Sequence, residues 1–254
     1  MKKNSEREAL RVEHRPENIA RRLQREPESQ RVSDLVLGGI DGCITTFAIV
    51  SGAFGAGFSA AVVLVMGFAN LLADGFSMAV SNFEAVAAER DHLESVRRTE
   101  KRHIKLVPEG EREEVRQIFA AKGFRGETLE RIVATITGNH RLWIETMLTE
   151  EYGLSRARYR PLASALATFS AFVVVGAVPL LPFLFAPLSM PSRFAASALL
   201  AGLMFFVIGM LKSLVYARPL LRSGFKTLLL GGTAAVLAFA TGYLLHSLVD
   251  IDAS

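Results

Sequence analysis

The sequence predicts an all-α membrane protein with five transmembrane helices and a helical aqueous insert between the second and the third. Three observations carry this. The chain has 254 residues, is 50% hydrophobic and has a mean hydropathy of +0.30, too apolar for an ordinary soluble domain and too charged for a bare membrane bundle. The charge is segregated, most of it within residues 1–34 and 89–160. Five nearly charge-free stretches, at about 35–57, 59–83, 162–186, 193–216 and 224–248, each reach the roughly 20 residues needed to cross the hydrocarbon. The expected organisation is a basic N-terminal segment (1–33), spans one and two (34–88), a cytoplasmic helical insert (89–160), and spans three to five (161–254).

Residues 1–30 are charged and lack an apolar core, so they do not read as a signal peptide, and the first span is expected to direct insertion. They predict helix on either side of Pro16. Ile19 and Leu23 among arginines fit a piece lying on the membrane surface; a disordered basic tail fits as well. The turn Gly55-Ala56-Gly57-Phe58-Ser59 joins the first two spans. The second span should continue into water from Glu84 to about Ile104 and break at Pro108-Glu109-Gly110. Helices at 111–122, 127–137 and 140–152 should follow, stopped by Gly123, Gly138-Asn139 and Gly153. Pro179 and Pro182 should kink or unwind the outer end of the third span.

Lys and Arg set the orientation. Nine basic residues from Lys2 to Arg31, including Arg25, precede the first span, and Arg218, Arg222 and Lys226 follow the fourth. The outer turn after the first span has none, and the connection before the fourth has only Arg193. A cytoplasmic N-terminus and insert put every basic cluster on one side, and leave the C-terminus, with Asp250 and Asp252, on the other. Net charge +4 and pI ≈ 9.4 are thereby explained by a membrane face rather than by nucleic acid. Cys43 is the sole cysteine, which excludes an internal disulfide framework and a Cys-rich metal site. Gly38-x-x-x-Gly42, Gly52, Gly55, Ala69, Ala73, Gly75, Gly231 and Gly232 allow close helix contact, within one protomer or at a dimer seam. The dimer is the favoured reading, because five helices do not easily enclose a polar path.

Asp41 lies in an otherwise apolar stretch, and a carboxylate there costs about 2.5–3.5 kcal/mol on insertion scales. It either lines an ion path, reaches interfacial water or bonds Thr45 or Thr46. In the second span Asn70, Asp74, Ser77 and Ser81 follow i, i+4, i+7, i+11 spacing, with Met78 one step beside that stripe. A thioether beside carboxylates suits softer transition metals rather than Mg²⁺ or Ca²⁺, although a membrane methionine also simply fills space. In the insert Glu100/His103 and Glu111/Glu114 are spaced i, i+3, and Met147/Glu151 i, i+4. Such pairs on neighbouring helices can hold ferrous iron or merely form solvated faces; Asp91/Glu94 has the same spacing.

Asp41-Gly42-x-x-Thr45-Thr46-Phe47-Ala48 and Ala73-Asp74-Gly75-Phe76-Ser77-Met78-Ala79 resemble the two membrane signatures of the vacuolar iron transporter family. The resemblance runs over nearly the whole chain from residue 34. It implies a five-helix protomer that forms a homodimer and exchanges Fe²⁺, sometimes Mn²⁺, for protons along a path between protomers. By motif match it implies that Asp41 and Met78 touch the passing metal; Asp74, Thr45 and Asn70, polar positions on the same two spans, are expected along the same path. Glu100, Glu111-x-x-Glu114 before Ile118-Phe119, and Met147 with Glu151 before Gly153-Leu154 match the family's insert ligands. His103 stands where the family often has Glu, and Ser81-Asn82-Phe83 replaces a more usual Gly-acid-Tyr. His103 keeps a ligand but must be neutral to bind metal; the carboxylate lost at Asn82 bears on metal choice or coupling.

The implied partners are membrane lipid, metal ions, protons and a second copy of the chain, with no nucleic acid and no organic cofactor. The expected location is the plasma or inner membrane of a bacterium or the vacuolar membrane of a eukaryote. An enzyme of the membrane di-iron type is disfavoured, because His14, His92, His103, His140 and His246 do not cluster in the sequence. A membrane-anchored metal sensor or scaffold without transport is the alternative.

Overall fold

The computed structural model describes residues 2–24, 29–154, 159–185, 187–216 and 219–249. Arg25, Arg218, Asp250 and Asp252, used in the charge argument above, lie outside them. The elements are α1 (Lys2–Glu13), α2 (Pro16–Gln24), α3 (Ser29–Gly55), α4 (Ala60–Leu106), α5 (Pro108–Ala121), α6 (Gly126–Thr137), α7 (His140–Glu150), α8 (Pro161–Ala177), a 3₁₀ turn (Val178–Leu184), α9 (Met190–Tyr216) and α10 (Leu220–Val249). No strand occurs among the described residues. Five segments are long and apolar enough to cross a membrane: Val32–Gly55, the first part of Ala60–Leu106, Pro161–Leu184, Met190–Ser213 and Leu220–Leu248.

The first span, α3, is the central helix and packs against α8, α10, α9 and α4. Its buried side includes Cys43, Phe47 and Val50, in one cluster with Leu71, Phe172, Leu180 and Phe205. The glycines explain the close approach. A Cβ on Gly38 would lie 2.2 Å from the Thr168 carbonyl oxygen, and one on Gly42 would lie 2.4 Å from that of Phe172. Gly55 meets Phe239 of α10, and Gly231 lies under the Phe205 ring. The Gly38-x-x-x-Gly42 pair therefore joins α3 to α8 within one chain, whereas Ala69 and Ala73 stay exposed on α4 and Gly232 has open space beside it. Gly57, with φ of 73°, makes the outer turn between α3 and α4.

The prolines act as expected. α8 ends at Ala177, and the chain tightens into the 3₁₀ turn. Pro182 has no N–H for the Pro179 carbonyl three residues back; the buried Ser197 hydroxyl of α9 donates to that carbonyl instead, at 2.7 Å. At the other end of the bundle, the Asn82 side-chain amide donates to Asp34 Oδ1 at 3.1 Å and to Thr168 Oγ1 at 2.8 Å, which ties α4 to α3 and α8.

α4 runs without interruption from the second span out to Leu106. The break falls one residue before Pro108, which occupies the first turn of α5, so α5 starts at Pro108 rather than at Glu111 and holds Gly110 inside it. Asn139 caps α7, its Oδ1 accepting from the Arg141 and Leu142 amides at 3.1 Å each. The outer part of α4 and helices α5–α7 bury their own apolar cluster, including Val96, Val115, Val133, Trp143 and Met147. Arg116 of α5 bridges to Glu130 of α6 at 2.8 Å on its surface.

Candidate functional site

Asp41 and Met78 line one cavity of about 390 Å³ between α3, α4 and α9, together with Ser33, Val36, Ile40 and Lys212. The periodicity of α3 places Ser33, Val36, Ile40 and Asp41 on this face, and Met78 enters from α4. Asp74, one helical turn from Met78, interacts electrostatically with Asp41. Thr45 spends its hydroxyl on the α3 backbone, donating to the Asp41 carbonyl at 2.9 Å rather than to the carboxylate. Asn70 reaches Thr45 Oγ1 at 3.5 Å, a long contact. Asp74, Thr45 and Asn70 are outside the cavity lining, on the next turns of α3 and α4 along the shared seam.

Burial redraws the polar stripe of α4. Asn70, Asp74, Met78 and Asn82 are half-buried, whereas Ser77 and Ser81 are exposed. The inward face thus follows i, i+4, i+8, i+12, and Met78 belongs to it while the two serines do not. Residues i+7 and i+8 stand about 100° apart around a helix, so a seam that follows the i+4 row from Asn70 to Asn82 takes in Met78 and leaves Ser77 on the exposed flank.

Two groups were not read as functional from the sequence. Lys212, an exposed residue of α9, shares the cavity with Asp41. An ionisable residue within a predicted span was the available signal, and the count of flanking Arg and Lys obscured it. The second is the Asp34–Asn82 pair. Asp34 is 2% exposed, and the amide at Asn82 donates to it where a second acid would repel it. The departure from an acid at this position is complementary to Asp34, and it acts first on packing.

Outside the spans, Glu100, His103, Glu111, Glu114, Glu151 and Tyr152 form a bowl. Glu100 and Glu111 lie at its base, 1% and 5% exposed, while His103, Glu114 and Glu151 stand on the open rim. His103 Nδ1 is 3.3 Å from Glu111 Oε1 and 4.0 Å from Glu100 Oε1. Tyr152 donates its phenol to Glu100 Oε1 at 3.1 Å. Glu100 Oε2 and Glu111 Oε2 are buried with no hydrogen-bond partner. Burial, together with the charges of Glu100, Glu114 and Glu151, pushes the Glu111 carboxyl up to about 8. Glu151 is also raised, by burial and by Glu100 and Glu114, with His103 and Tyr152 partly offsetting this. Burial and the Glu100 hydrogen bond raise the Tyr152 phenol.

Met147 sits apart in character: it is wholly buried in the apolar cluster of α4–α7. Among the described residues no three His, Cys, Asp or Glu side chains already stand in a geometry that would hold a metal ion. The bowl therefore gathers acids at interaction distance without converging them on a point. Its carboxylates, imidazole and two orphaned buried oxygens are the donor types that suit a divalent ion of the Fe²⁺ or Mn²⁺ kind.

A polytopic helical membrane protein with an acid, a thioether and a lysine on one intramembrane cavity is of the solute-transporter class. The chain belongs to the VIT family, whose model matches residues 32–243. It is similar to vacuolar iron transporter 1 of Arabidopsis thaliana, 32% identical over 209 residues, covering 82% of this chain and 83% of the relative. It is likewise similar to vacuolar iron transporter 2 of Oryza sativa subsp. japonica, 32% identical over 221 residues, covering 85% of this chain and 88% of the relative. The vacuolar iron transporter of Toxoplasma gondii is 30% identical over 233 residues, covering 88% of this chain and 77% of the relative.

Proposed function

We propose that this chain carries Fe²⁺, with Mn²⁺ as the alternative cargo, out of the cytoplasm in exchange for protons. The observation that carries the reading is the shared cavity of Asp41 and Met78. A carboxylate binds either a proton or a metal ion, so Asp41 couples the two by competition. The Met78 thioether biases the site away from Mg²⁺ and Ca²⁺, which take oxygen ligands alone. Metal entering the cavity displaces a proton from Asp41; a proton arriving from the far side returns and releases the metal. Asp74, Thr45 and Asn70 continue the polar seam beyond the cavity.

The bowl collects the cargo. Glu100, His103, Glu111, Glu114 and Glu151 offer oxygen and nitrogen donors, and Met147 contributes if α7 shifts to free its sulfur. The positive-inside pattern supports a cytoplasmic bowl, which faces the compartment the metal leaves. A homodimer supports the path best, because one protomer leaves Ser77 and Ser81 of α4 exposed beside the polar seam, where a second copy would cover them.

The test is metal-dependent flux in proteoliposomes with an imposed pH gradient, comparing Fe²⁺, Mn²⁺ and Zn²⁺. Fe²⁺ or Mn²⁺ movement that rises with an opposing proton gradient supports exchange. A sensor or scaffold would bind metal at the bowl and move none.

A further inference from the structure

The face of α4 that turns away from the acidic bowl carries a second, oppositely charged cleft. Arg90, Glu94, Arg97, Arg98, Lys101 and Tyr159 line a cavity of about 480 Å³. Arg90, Glu94, Arg97 and Lys101 follow i, i+4, i+7, i+11 spacing, so one helix face builds a strip about 16 Å long. Four cationic side chains stand here against the single carboxylate of Glu94. Arg90 is held by its neighbour Asp91 at 2.9 Å. Among the described residues, Arg97, Arg98 and Lys101 have no hydrogen-bond or ion-pair partner. Exposed arginines beside acids usually pair with them, as Arg112, Arg116, Arg131 and Arg141 do in α5, α6 and α7.

Position adds to the charge. Tyr159 lies two residues before Pro161, the start of the third span. Asn82 bonds Thr168, seven residues inside α8, so antiparallel α4 reaches the level of Pro161 at about residue 89; Arg90 stands there, at the start of the third span, and Lys101 about 16 Å farther out. The cleft is too wide and too long for a single inorganic phosphate, and arginines grip phosphate oxygens in pairs. A divalent cation would be repelled.

We infer that this cleft binds a ligand bearing two or more phosphate groups, supplied either by a lipid headgroup that projects from the membrane surface or by a soluble polyphosphate. Arg97, Arg98 and Lys101 grip the phosphates, and the Tyr159 phenol donates from the side. Because Tyr159 belongs to the segment entering the third span and the cations to α4, an occupied cleft pins the outer part of α4 to the bundle. This inference stands independently of iron transport.

The test uses the full chain in metal-free nanodiscs. In one arm, labelled triphosphate is titrated into phosphatidylcholine nanodiscs. In the other, native mass spectrometry counts phosphatidylinositol bisphosphate retained from mixed nanodiscs. The variant Arg97→Gln/Arg98→Gln/Lys101→Gln is compared with Arg102→Gln/Lys105→Gln, which removes charge from the same helix outside the cleft. About fivefold is lost per surface cation, so the cleft variant should bind roughly a hundredfold more weakly, and the control less than about threefold. Loss in the triphosphate arm alone assigns a soluble ligand; loss in the lipid arm assigns a headgroup. Unchanged Trp143 emission shows that the cleft variant is folded, and Lys101→Glu serves in its place if it is not. No saturable binding to the wild type in either arm, or equal weakening by both variants, overturns the inference.

Discussion

Raising the pH should loosen the helices around the acidic bowl, and Glu111 sets the size of the effect. Its carboxyl titrates at about 8 in the fold, against 4.5 when unperturbed, chiefly because it is buried and secondarily because Glu100 crowds it. Below pH 4.5 both folded and unfolded chains hold the proton, and the fold keeps its full stability. Between 4.5 and about 8 the unfolded chain releases the proton while the folded one retains it, so stability falls as pH rises; above 8 it levels off. At about 1.36 kcal/mol per pKa unit the ceiling is roughly 5 kcal/mol. The rim of the bowl is open to water, which screens the effect, so we expect a fall of about 1–3 kcal/mol from pH 5.5 to 8. Trp143, the only tryptophan, is 5% exposed in the core of these helices, so its emission during urea titration reports the local unfolding. Glu111→Gln should flatten the profile, and Mn²⁺ should restore stability at pH 7.5 in the wild type by taking the proton's place. A flat or rising wild-type profile, or an unchanged slope in Glu111→Gln, refutes the reasoning.

The same competition predicts that Mn²⁺ affinity at the bowl rises about tenfold per pH unit up to pH 8 if one proton is displaced; calorimetry with Glu111→Gln/Glu114→Gln should show weaker binding with Trp143 emission intact. Asn82→Asp should cost about 2–4 kcal/mol at neutral pH, by turning a donor to buried Asp34 into a repelling charge, and thermal unfolding should show recovery at low pH. Gly42→Ala should cost about 1–3 kcal/mol, since its Cβ would meet the Phe172 carbonyl at 2.4 Å. Gly232→Ala, with nothing within 4 Å of the added Cβ, should be neutral or stabilising by up to about 1 kcal/mol in the same unfolding assay.

The spans were legible because hydrocarbon thickness imposes a length and apolarity that no soluble helix must meet; observed limits moved by only a few residues, as at Met190 and Leu220. Pro179 and Pro182 announced the 3₁₀ turn, because a missing N–H is a local property of the sequence. What a glycine packs against is not local: Gly38 and Gly42 read equally well as seam or interior, and only the crossing with α8 decides. Spacing put the acids of the bowl on single helix faces. It could not say that Glu100 and Glu111 meet at the base while Glu114 and Glu151 stay on the rim, which depends on how α5 and α7 lie against α4. Lys212 was invisible as a cavity residue for the same reason, since its partner is on a helix remote in sequence. Packing divides the polar residues of α4, because the i+4 row that ends in Met78 and Asn82 turns into the protomer while Ser77 and Ser81 stay on its exposed flank.

The most direct test of the central claim, that Asp41 and Met78 form one stop for a divalent ion, is Fe²⁺ flux into proteoliposomes under an inward-acid gradient. Wild type, Asp41→Ala and Met78→Ala should be compared at equal reconstituted amounts. The account predicts that Asp41→Ala abolishes flux and that Met78→Ala lowers it and blunts discrimination against Mg²⁺. Asp41→Ala moving Fe²⁺ at the wild-type rate would contradict it.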